Sequence, residues 1–142
     1  MILCLEDLKG MDRNQLIDHL IAEYTADIDK EYGGGRGNGL TLDKSSFVGI
    51  TFLVAYESVG SWGCDSSSFF LFRKAGKLYE VHGSHCSCYG FEGQWEPQET
   101  SLVALKERAR KGYVFSAGGY DGNETENQAQ AAAKVLSMRG GA

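Results

Sequence analysis

Apolar residues early in the chain recur every three or four positions, at Leu16, Ile17, Leu20, Ile21, Tyr24 and Ile28. That spacing predicts an amphipathic helix over about residues 13–31, opened by Asp12 with Gln15 three places on as a capping box. The glycine-rich run from Gly33 to Gly39 ends it. A phosphate-binding loop needs a strand before it and a helix after; here a helix precedes and strand-like sequence follows, so the run is a connection.

The period then changes. SFVGITFLVAYES, Ser46 to Ser58, is rich in β-branched and aromatic residues and apolar on both sides, which predicts a central strand. A turn over Gly60–Ser68 leads to two further strands, Ser68–Arg73 and Lys77–His82, joined by a short loop at Lys74, Ala75 and Gly76. Strands joined so closely form an antiparallel meander. After Pro97, Leu102 and Leu105 mark the inner side of a short helix over Ser101–Arg110, which Gly112 closes. Tyr113–Ser116 reads as a short strand, and Asn123 with Glu126 caps an alanine-rich helix reaching about Met138. The order predicts an α+β fold: an antiparallel β-meander with an N-terminal amphipathic helix and C-terminal helices packed on it.

Length sets the domain count. The 142 residues suit one domain, 1–142, large enough to bury a core without crosslinks. The apolar start turns acidic by Glu6 and lacks a basic leader or a long apolar run, so the expected location is the cytoplasm, with no membrane span. Cysteines in that compartment are reduced thiols or metal ligands.

Charge changes the picture further. Residues 1–32 hold eight acids and three bases and so carry the whole net charge of -5. Asp18, Asp27 and Asp29 lie off the apolar stripe of the first helix, which points to a basic protein surface as partner and away from nucleic acid. The four bases Lys106, Arg108, Arg110 and Lys111 are ordinary for one helix and do not restore a nucleic-acid reading.

Unusual chemistry is concentrated between Lys77 and Thr100, where His82, His85, Cys86 and Cys88 fall close together, with Cys64 upstream. These residue types leave three uses open. They suit a zinc site, although the spacing is not that of a finger or ribbon. They equally suit buried thiols with histidines that orient a loop, or a Cys–His nucleophile pair. Trp62, Tyr89, Phe91, Trp95 and Tyr120 lie in or beside glycine-rich segments; such rings either form a recognition surface or pack a core. No residue is assigned a catalytic role, and no cofactor other than zinc is implied; the oligomeric state is not encoded in any of these patterns.

Over about residues 50–127, through the strings SWGCDSSSFFLF, GSHCSCYGFEGQW and GGYDGNETEN, the chain resembles small accessory proteins encoded by bacteriophages and prophages. The resemblance carries over no catalytic residue. It implies action in the cytoplasm of a bacterial host by binding and blocking a host or defence protein, as anti-CRISPR and anti-restriction proteins do. The expected function is therefore non-enzymatic inhibition by protein binding. The alternative is a small zinc- or thiol-dependent enzyme or metal-binding module centred on residues 82–88.

Overall fold

A strand that is apolar on both sides must be covered on both sides, and the sheet of this protein is. The structure, a computed structural model, describes residues 2–6, 8–25, 41–59, 66–85, 91, 93–114 and 124–139. Five strands run in the order β1 (Leu3–Glu6), β2 (Thr51–Val59), β3 (Ser66–Lys74), β4 (Lys77–His85) and β5 (Gln98–Thr100). The helices are α1 (Arg13–Tyr24), α2 (Leu102–Ala109) and α3 (Glu124–Ser137). The fold is α+β.

Side chains alternate across β3 and divide the core in two. Phe70 and Phe72 meet Leu16, Leu20 and Tyr24 of α1 in one cluster, together with Phe52, Val81 and Trp95. Phe69 and Leu71 point the other way, into a cluster with Leu102 and Leu105 of α2 and Ala131 and Val135 of α3. A bulge in β2 between Phe52 and Val54 shifts the register against β3.

Several sequence expectations need correction. The sheet is mixed: β2 to β5 are antiparallel neighbours, but β1 lies parallel to β2. Ser46 and Phe47 are not strand; they belong to a 3-10 turn, Lys44–Phe47, capped by Asp43, and Gly49 at φ 78° precedes the true start at Thr51. Arg13 fastens that turn to α1 by donating to the carbonyls of Phe47 at 2.7 Å and Ile50 at 3.2 Å. The β3–β4 loop is shorter than expected, since Lys74 pairs with Lys77 and leaves only Ala75 and Gly76, both with positive φ, as in a type I′ turn. Tyr113 and Val114 do not extend the sheet; the Val114 amide donates to the Gln128 side chain at 3.0 Å.

The Asp12–Gln15 capping box is local and forms as expected, whereas Asn123, the expected cap of α3, lies outside the described residues. Asp12 accepts from the Gln15 amide at 2.8 Å while the Gln15 side chain accepts from the Asp12 amide at 2.9 Å. α1 ends at Tyr24 with Thr25 extended, and residues 26–31 of the expected helix lie outside the described residues. Among the described residues no helix is long and apolar enough to cross a membrane.

Candidate functional site

The outer face of α1 carries Asp18 and Glu23, both exposed and without an ion pair among the described residues. What holds this face in place is a polar anchor beneath the helix. Glu57 projects from β2 toward α1 and is 6% exposed. Its Oε2 accepts from the Tyr24 hydroxyl at 2.6 Å and from His19 Nε2 at 2.9 Å. A buried carboxylate must be paired or hydrogen-bonded, and here one helix supplies both donors. Burial, and after it the Glu57 charge, pushes the Tyr24 phenol well above its ordinary range, so it stays protonated and donating.

Residues 91 and 93–95 clasp the end of the same helix. The Gly93 amide donates to the Tyr24 carbonyl at 3.0 Å, and the Phe91 ring stacks on Tyr24 with centroids 4.9 Å apart. Gln94 Oε1 accepts from the Ser84 amide at 2.8 Å. Trp95 meets Tyr24 edge-on at 6.0 Å and stacks on Phe72 at 6.1 Å. Phe91 can lie over β4 because residue 83 is glycine. A Cβ there would come within 2.6 Å of Ser68 Oγ and 3.0 Å of the Phe91 ring. Phe91 and Trp95, 6% and 3% exposed, are thus core residues that lock α1 to the sheet and are not displayed for recognition.

The opposite face of the sheet carries a second buried acid. Glu80 of β4 accepts from Arg108 Nη2 of α2 at 2.7 Å and pairs through its other oxygen with His82 Nε2. Burial alone would raise its pKa, but the bonds from His82, Arg108 and Thr100 outweigh it and hold the carboxyl at about 2. His82, taken from sequence as a metal ligand, packs its ring against Phe69 at 5.3 Å and is engaged with Glu80. Among the described residues no group of three His, Cys, Asp or Glu is arranged to hold a metal ion.

Asp27, Asp29, Trp62, Cys64, Cys86, Cys88, Tyr89, Tyr120 and the side chain of His85 lie outside the described residues. Of the acidic positions singled out, Asp18 is described, and it faces solvent on α1. Sequence reasoning missed His19, Tyr24, Glu57, Glu80 and Arg108 as interacting groups. A signal for one of them was present: Glu57 interrupts the largely apolar run of β2, and an acid in such a place requires a donor from elsewhere. Comparison of the chain with protein-family models, with curated proteins and with solved structures finds no match.

Proposed function

We propose that this chain is a non-enzymatic accessory protein that binds and blocks a basic surface of a host or defence protein through the acidic outer face of α1. The observation that carries the reading is the state of Asp18 and Glu23. They stand exposed and unpaired among the described residues, on the segment that holds the whole net charge, while His19, Tyr24 and Glu57 beneath them are engaged with one another. A one-sided charge of this kind accelerates encounter with an oppositely charged surface.

The test is replacement of Asp18, Glu23, Asp27 and Asp29 by their amides, followed by association kinetics with the captured bacterial partner at low and high salt. The association rate should fall about tenfold at low salt and lose most of its salt dependence. Cys86→Ser and Cys88→Ser should bind as the wild type does. Normal binding by the neutralised chain, with folded but inactive Cys→Ser forms, would reject the reading.

One observation favours a second reading, a zinc- or thiol-based module. β3 and β4 pair Ser66 with His85, and in the sequence Cys64 stands two residues before the first and Cys86 one after the second. Elemental analysis of protein purified without added metal would return stoichiometric zinc on that reading.

A further inference from the structure

The two edges of the sheet are built differently. β5 is the short run Gln98, Glu99 and Thr100 behind Pro97, and Glu99 lies 3.7 Å from Lys77; polar side chains and a proline keep a further strand from adding to an edge. β1 has no such guard along most of its length. It is apolar from Ile2 through Leu5, and among the described residues β2 is its one neighbour, so the outer row of its peptide groups has no sheet partner there.

Beside that edge lies an open hollow of about 620 Å³, lined by Ile2, Leu3 and Cys4 and by residues 10–13, which lead into α1. Ile2, Leu3, Cys4 and Met11 are all half-buried. Internal bonds hold the wall: the Cys4 thiol donates to the Met11 carbonyl at 3.7 Å, and the Leu8 amide to the Leu5 carbonyl at 3.2 Å. Unpaired strand backbone beside a preformed groove is the arrangement that takes up an extended peptide, which adds as a strand and seats alternate side chains in the groove. Charge selects among candidates for that strand. A second copy would bring its own residues 1–32, with a net charge of -5, against the same segment of the first and be repelled. A strand flanked by basic residues is attracted. Arg13, whose guanidinium is turned to the Phe47 and Ile50 carbonyls, also lines a neighbouring hollow with Asp18, so the edge runs on into the acidic face of α1.

We propose, resting on the basic partner inferred above, that β1 is a docking edge for an extended apolar segment of that partner flanked by basic residues. The segment adds to the sheet as a further strand, with its large side chains in the hollow. The acidic face of α1 steers the encounter, and backbone pairing at β1 fixes the register.

The probe is the peptide acetyl-Lys-Val-Thr-Phe-Thr-Val-Lys-amide, titrated into the full chain and followed by two-dimensional NMR. It should shift the amides of Leu3, Cys4, Leu5 and Met11 saturably. Two methylated forms of the peptide report strand pairing, because successive peptide groups point to opposite edges of a strand: N-methylation of both threonines blocks one edge, and of both valines the other. One form should bind within a factor of about two of the parent, and the other about tenfold or more weakly for loss of its backbone hydrogen bonds. Replacement of Asp18, Glu23, Asp27 and Asp29 by their amides should weaken all three peptides alike and keep that ratio, so failure of the acidic-face reading and failure of strand addition give different results. Absence of saturable shifts at Leu3, Cys4 and Leu5 up to about 1 mM peptide would overturn the proposal, as would equal binding by the two methylated forms or shifts confined to Asp18 and Glu23. Shifts of the same amides on dilution without peptide would give the edge to a second copy and overturn it too.

Discussion

Protonating or removing Glu80 should undo the link between α2 and the sheet. Its carboxyl is held at about 2, against an ordinary 4.5, because the bonds from His82, Arg108 and Thr100 outweigh the cost of burial. A folded-state pKa below the unfolded one contributes stability above the unfolded value, and that contribution disappears as pH falls through the folded value. The window therefore runs from about 4.5 down to about 2. At about 1.4 kcal/mol per pKa unit the full shift corresponds to about 3 kcal/mol, and screening at the partly exposed Arg108 reduces this to about 2. Glu80→Gln keeps the shape but removes the charge and leaves Arg108 without its partner. Urea unfolding of both proteins between pH 7 and pH 2 isolates the effect, since the other carboxylates titrate equally in each. The wild type should be more stable by about 2–3 kcal/mol at pH 7, and the gap should close toward zero at the acid end. A gap that stays constant across the window would refute the reasoning, because a deficit independent of pH would come from packing and not from the charge.

Three further outcomes follow from named contacts. Gly83→Ala should cost about 1–3 kcal/mol, because the new methyl meets Ser68 Oγ and the Phe91 ring, and adding Ser68→Ala should recover part of it; an unchanged denaturation midpoint would show that Phe91 does not lie over β4. Tyr24→Phe should cost about 1–3 kcal/mol by leaving the buried Glu57 one donor short, and combination with Glu57→Gln should be markedly less than additive in chemical unfolding. Ala75→Gly should raise the urea midpoint by an amount worth about 0.5–1 kcal/mol with an unchanged slope, since glycine relieves the left-handed strain; a fall in the midpoint would refute that account of the turn.

Local patterns determined a large share of the fold. The Asp12–Gln15 capping box, the aromatic and apolar run of β3, and the leucine spacing of α2 all concern residues within four positions of one another, where geometry alone pairs sequence with conformation. The α+β class follows from the order of those elements.

The rest was decided by contacts between distant parts of the chain. β1 has four residues and β5 three, too few for a period to show, and each is a strand because a longer neighbour offers it a free edge. The direction of the Phe91 and Trp95 rings depends on the bare backbone at Gly83 and on Tyr24, which the sequence places far away. Glu57 meets His19 across 38 positions and Tyr24 across 33, and Glu80 meets Arg108 across 28. A sequence shows that a buried acid needs a donor, because an unpaired charge in the core is prohibitively costly. Which donor arrives is settled only when α1 and α2 come down on opposite faces of the sheet.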